Sequence, residues 1–221
     1  PGEKHEGYCS DVYTDQALQW IKARDAKKPF CMMLHFKAPH HSYEYPERWK
    51  DYLKDTLIPE PPSLHEDVEK TSPLLKGVHT WHMVDKNGYF GRHDKDKEPP
   101  MWPHDGSVRS KTSAAYQHMI HKYLRAVGAV DDNIKRVIDY LEKERIKDDT
   151  LIVYTSDQGY WLGQHGLYDK RLILEGSLKM PFIVRYPKEI KAGSVNEALC
   201  SNVDFAPTLL DMAGVNVPKA M

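Results

Sequence analysis

Apolar residues recur along this chain with two distinct periods. Ile120, Leu124, Val127, Ile134, Val137, Ile138 and Leu141 recur mainly at intervals of three, four and seven, the stripe of a long amphipathic helix laid on a sheet. A shorter helix is expected over 12–25, from Val12, Ala17, Leu18 and Ile21, with Ser10 or Asp11 as caps. The runs Phe30–Phe36, Leu151–Tyr154 and Met180–Tyr186 are short and apolar and read as buried strands, with Pro181 tolerated near a strand start. A last helix is expected over 204–212, begun near Asn202 or Asp204 and stopped by Gly214. Helices alternating with buried strands predict an α/β chain: a three-layer α/β/α domain with a largely parallel sheet.

Between Tyr45 and Arg109 this periodicity fails. The stretch carries Trp49, Pro59, Pro61, Pro62, His79, Trp81, His82, His93, Trp102 and His104, and its prolines argue against long regular elements. Residues 45–109 therefore read as a loop-rich insertion on one domain spanning 1–221. Its rings suit stacking on a sugar, as loops on a rigid scaffold carry recognition; they equally suit pinning the loop to the body.

Composition narrows the partners. With 31 basic and 32 acidic residues the net charge is −1, so no global field draws the chain to nucleic acid or an anionic membrane. No apolar run approaches the roughly 20 residues that cross a bilayer. Three cysteines, widely spaced, give neither a zinc pattern nor a disulfide framework; Cys31 reads as a buried small hydrophobe, and Cys9 and Cys200 stay open to pairing.

The densest chemistry lies in Thr155-Ser156-Asp157-Gln158-Gly159 and Leu162-Gly163-Gln164-His165-Gly166-Leu167-Tyr168-Asp169-Lys170. It begins where the strand at 151–154 ends, and ligands of open α/β sheets collect outside the carboxyl ends of strands. Asp157 and Gln158 offer two neighbouring hard oxygen donors, the type that Ca²⁺ and Mg²⁺ require. Lys170 adds a point charge for a sulfate or phosphate oxygen. His40 follows the strand at 30–36 in the same way, after Pro39. Taken alone, Asp-Gln-Gly is also an ordinary polar turn and His40 an ordinary loop histidine. His35, His41 and the pair Asp131-Asp132 are left outside the site, the last as polar face or helix packing.

The run Tyr154 to Pro187, YTSDQGYWLGQHGLYDKRLILEGSLKMPFIVRYP, closely resembles the C-terminal half of the catalytic domain of type I sulfatases, in the alkaline phosphatase superfamily. The resemblance extends over most of residues 7–218, through Lys28–Cys31, Ala38-Pro39-His40, Tyr123–Leu141 and Asn202–Leu210. It is closest to bacterial glycan sulfatases, including N-acetylglucosamine-6-sulfatase-like enzymes. It implies an alkaline-phosphatase-like topology and a hydrolase removing sulfate from a sulfated carbohydrate. Asp157 and Gln158 fall on ligands of the active-site cation, usually Ca²⁺, with Mg²⁺ an alternative. Lys170 falls on the lysine that contacts sulfate, His40 on the histidine that assists the leaving oxygen, and His165 on a loop histidine near the substrate. By the same resemblance the compartment is periplasmic, secreted or lysosome-like, while oligomeric state stays open.

The family's nucleophile is a formylglycine made from Cys or Ser in a Cys/Ser-x-Pro/Ala-x-Arg motif, and Cys9, Cys31 and Cys200 are each followed by other residues. The expectation is that these 221 residues are part of a longer chain, with the nucleophile N-terminal to them and a small subdomain C-terminal. A phosphate or phosphonate monoester hydrolase of the same superfamily, and an inactive sulfatase-like protein that binds glycans, are the alternatives.

Overall fold

A computed structural model describes residues 4–67, 70, 73–76, 82–97 and 99–221. The helical periodicity is realised most fully at α3, Val108–Lys143, defined after α1 (Cys9–Ala23) and the short α2 (Tyr89–His93). Ser107 caps α3 by accepting from the Ser110 amide at 3.2 Å. One flank of α3 receives α1. Ile21 of α1 is fully buried, Asp11 accepts from Asn133 Nδ2 at 2.7 Å, and Asp15 pairs with Arg136. Asp132 accepts from the Trp49 indole at 2.7 Å and from Arg48 at 3.0 Å, so it is a helix-packing contact. Gly128 makes room for that indole, since a Cβ there would lie 2.5 Å from the Trp49 ring.

The N-terminal half of α3 carries buried polar groups that tie down the segment before residue 60. Gln117 accepts from the Ile58 amide and donates to the Ile58 carbonyl, at 3.1 and 2.7 Å. Both ring nitrogens of the buried His121 face backbone carbonyls, those of Gln117, Leu53 and Thr56. Loops with few internal backbone bonds gain theirs from the helix, which is how irregular chain is tolerated against a core. From 45 to 107 the described residues hold short turns and α2; His79 and Trp81 lie outside the described residues.

The strands differ from expectation in pairing and burial. β1 (Ile152–Thr155) pairs antiparallel with β4 (Phe182–Arg185), in register Val153 opposite Val184. β2 (Trp161–Leu162) pairs antiparallel with β3 (Tyr168–Asp169). Both ladders among the described residues are thus antiparallel, and the parallel pairing expected of these runs is not made within them. The run 30–36 forms no strand and joins no ladder among the described residues; Met32, Leu34 and Phe36 are half-buried and Cys31, Met33 and His35 exposed. Cys31 is therefore exposed rather than buried, and all three cysteines are free thiols. Val153, Tyr154, Phe182 and Ile183 are exposed too, against the expectation of buried strands.

The main core forms elsewhere. Tyr43, Leu64, Met83, Tyr89, Ala115, Tyr116, Met119, Ile120 and Tyr168 make one buried cluster between α3 and the loops. After β3 come α4 (Glu175–Leu178), β4 and α5 (Phe205–Met212), the last preceded by a turn in which Ser201 and Asp204 cap each other and followed by Gly214 at φ 68°.

Candidate active site

Asp157 and Gln158 leave β1 at its carboxyl end, as the sequence predicts. The turn is seated on α4: the Gly159 amide donates to the Ser177 carbonyl at 2.8 Å, and the Trp161 indole donates to Ser177 Oγ at 3.0 Å. Gly159 is required by close approach, because a Cβ there would collide with the carbonyls of Gly176 and Lys179. Gly176 in turn faces the Trp161 ring, 2.6 Å from where its own Cβ would stand. The Asp157 carboxylate is exposed, accepts from Ser156 Oγ at 3.2 Å and makes no ion pair among the described residues. An uncompensated carboxylate beside an amide oxygen fits a hard cation. No cluster of three or more His, Cys, Asp or Glu able to hold a metal occurs among the described residues, so the pair does not by itself make a metal site.

Lys170 lies just past β3 between Asp169 at φ 73° and Arg171 at φ 90°. Left-handed sites on both sides of one residue, neither a glycine, mark a backbone held by its surroundings rather than by preference. The Lys170 side chain is 13% exposed, its Nζ 3.8 Å from Asp169 Oδ1 and 5.7 Å from the Tyr160 ring centroid. A mostly buried ammonium over a π-face with a carboxylate nearby is a fixed charge.

Tyr160 links the two sequence-distant parts of the site. Its hydroxyl bonds that of Tyr43, and Tyr43 donates its amide to the His40 carbonyl at 2.9 Å. Burial first, and each other's hydroxyl and negative neighbours next, push the Tyr43 phenol far above its ordinary range; burial raises Tyr160 as well, so both stay neutral. The structure thus connects His40, Tyr43, Tyr160 and Lys170, with Asp157 and Gln158 two to three residues from Tyr160. His40 is exposed, and its Nδ1 lies 2.6 Å from the His41 carbonyl.

His165 is placed differently. Its φ is 55°, its amide donates to Ser63 Oγ at 3.0 Å, and its Nδ1 is 2.7 Å from Glu66 Oε2. These contacts hold it against residues 63–66, and no contact joins it to Lys170 among the described residues.

Beneath the loop of His40 lies a polar cluster that sequence reasoning missed. His41 Nε2 is 3.0 Å from His93 Nε2, and His93 Nδ1 is 2.8 Å from Asp96 Oδ2. Lys122 Nζ and His118 Nε2 approach the same oxygen at 3.7 and 3.9 Å. His118 Nδ1 accepts from the Tyr89 hydroxyl at 2.8 Å, while its Nε2 donates to the Pro99 carbonyl. Burial and the facing His93 lower His41 to about 4, and burial lowers His118 to about 4, so both rings are neutral at pH 7. Burial pushes Asp96 up, but His93, Lys122 and His118 outweigh it and hold the carboxyl below its usual range. His93 and Asp96 sit three apart in the segment that sequence left unassigned. The spacing of a charge pair on one turn was the available signal.

Comparison with known proteins bears on the family and the fold. The family model described as Sulfatase matches residues 2–215. The chain is 39% identical to an N-acetylglucosamine-6-O-sulfatase of Bacteroides thetaiotaomicron, over 97% of this chain and 44% of that protein. A solved structure in complex with its substrate, D-glucosamine-2-N,6-O-disulfate, superposes with TM-score 0.85 at 37% identity, covering 97% of this chain and 50% of that one. The phosphonate monoester hydrolase of Silicibacter pomeroyi superposes with TM-score 0.71 at 27% identity, covering 96% and 39%. The chain therefore spans about half the length of the first relatives it matches. These likenesses establish the alkaline-phosphatase-like α/β fold. Sulfatases in general depend on a metal and a formylglycine, and by its family match and its near-complete alignment with a named relative this chain belongs to the sulfatase family.

Proposed function

We propose that the protein carrying this chain is a sulfuric ester hydrolase that removes sulfate from a sulfated carbohydrate, with a 6-O-sulfated glucosamine as the substrate class. The observation that carries this reading is the tyrosine bridge: Tyr43 and Tyr160 tie the His40 loop to the Lys170 loop, at the strand end bearing Asp157 and Gln158. The named relative and the substrate-bound neighbour point to the 6-O-sulfated amino sugar.

Asp157 and Gln158 would hold a Ca²⁺ ion, which when bound would supply Lewis-acid stabilisation of charge on the sulfuryl oxygens. Lys170, held in place by Tyr160 and Asp169, binds a sulfate oxygen and stabilises the charge that develops there. His40 carries the proton for the departing sugar oxygen, a role that asks for a fixed ring within hydrogen-bond reach. The formylglycine nucleophile is assigned outside residues 1–221, and His165 to the periphery of the substrate, where Glu66 orients it. The aromatic loops of 45–109 are assigned to sugar recognition, and the compartment to the periplasm, the lysosome or the cell exterior.

The test is release of inorganic anion by the complete protein from N-acetylglucosamine 6-sulfate and from the matching 6-phosphate. Turnover of the sulfate ester is expected. The phosphonate hydrolase neighbour makes the phosphate ester the pertinent control. Preference for phosphate would overturn the assignment, as would glycan binding without turnover.

A further inference from the structure

The polar cluster beneath the His40 loop has no part in the chemistry assigned above, yet its geometry ends on the residue that carries the proton. Asp96 is ionised, so His93 Nδ1–H donates to it. Burial lowers His93 below its ordinary value, so the ring is neutral and its Nε2 is left as an acceptor. The nitrogen 3.0 Å away must then be the donor, which makes His41 the Nε2–H tautomer. His41 is gripped further by the Tyr43 ring, edge-on with centroids 5.2 Å apart. The carbonyl of this same residue accepts from His40 Nδ1 at 2.6 Å, leaving His40 Nε2 as the outward nitrogen. The His40 amide, donating to the Lys37 carbonyl at 3.0 Å, and the Tyr43 amide, donating to His40, close the turn on either side.

We propose that Asp96, His93 and His41 form a positioning relay that fixes the ring and tautomer of His40 through the backbone carbonyl of His41. This rests on the assignment of His40 as proton carrier. The arrangement is that of a carboxylate orienting an imidazole, extended by one ring and one peptide. Asp96 is in turn held by Lys122 and His118 from α3, so the relay is anchored to the longest helix of the chain.

The relay predicts a loss confined to leaving groups that need a proton. In the complete protein, His93→Ala should lower kcat on N-acetylglucosamine 6-sulfate by about tenfold or more while changing KM by less than about twofold. With an aryl sulfate, whose nitrophenol leaves without protonation, kcat should stay within about threefold of wild type. His93→Gln keeps an acceptor for His41 Nε2–H and should recover most of the loss. Independently of turnover, ¹⁵N spectra of histidine-labelled protein should show His93 as the Nδ1–H tautomer and His41 as the Nε2–H tautomer, with the His40 signals moving in His93→Ala. Equal loss on both esters, no loss on the sugar sulfate, or unmoved His40 signals would overturn the relay. An inactive wild-type protein would instead overturn the functional reading, and the spectra would still decide the relay.

Discussion

The segments packed on α3 are better buried than the β1–β4 ladder. Tyr43 and Tyr89 are 0% exposed in a segment with little regular structure, whereas Phe182 and Ile183 in β4 are 42% and 60% exposed. Val195 and Leu199 beyond β4 are exposed as well. The proposed site draws on both regions, since Asp157 and Gln158, the proposed metal donors, leave the open strand β1 while Lys170 and His40 hang on the closed aromatic cluster. Positional precision for the anion and the proton thus comes from α3 and the loops packed on it. The sheet supplies direction.

This contrast can be broken first at its tightest point. Tyr43→Ala empties a fully buried site and removes the bridge to Tyr160, so it should destabilise by about 3–5 kcal/mol in urea unfolding. A loss below about 1 kcal/mol would mean the cluster is not a packed core. Next, Lys170→Ala should cost roughly 10²–10³ in kcat/KM for the sulfate ester, as removal of one charge-stabilising donor does, with stability little changed.

The pH dependence follows from the buried rings. His118 titrates at about 4 in the folded protein against 6.5 as its ordinary value, so the unfolded chain binds more protons between these values. Its stabilising contribution is whole above about pH 6.5 and is lost as pH falls toward about 4, by at most about 3 kcal/mol. His41 acts in the same direction. His118→Gln should flatten the fall in stability measured from pH 7 to 4; an unchanged slope would show that the ring is not held neutral. The smallest effect belongs to the open face. Ile183→Ser in the 221-residue chain should shift stability by less than about 0.5 kcal/mol, and a larger loss would show that this face is covered.

The helices were legible because α3, α1 and α5 each present a stripe of fixed period, and α3 begins earlier than its expected stripe, where Ser107 caps it and Ala115, Tyr116 and Met119 pack into the core. The strands at 152–155 and 182–185 were legible as elements, but their antiparallel pairing was not, because short apolar runs carry no information about direction. Cys31 was misjudged for a related reason. Alternation along 30–36 shows which residues share a face, and only a partner decides which face is covered.

In the proposed site, Asp157, Gln158 and Lys170 come from one string of residue types. His41 could not, since what distinguishes it from any surface histidine is His93, fifty-two residues away. Tyr43 and Tyr160 were hidden likewise, their contact spanning 117 residues.

The most direct test of the central claim, that this strand end and these loops make a sulfate ester site, is Asp157→Ala in the complete protein, with Ca²⁺ binding by calorimetry and sulfate release measured on one sample. Tight Ca²⁺ binding and sulfate release are expected to disappear together while the folded protein remains. Retained calcium affinity with retained turnover would remove Asp157 from the site and overturn the assignment of this strand end to the sulfate ester.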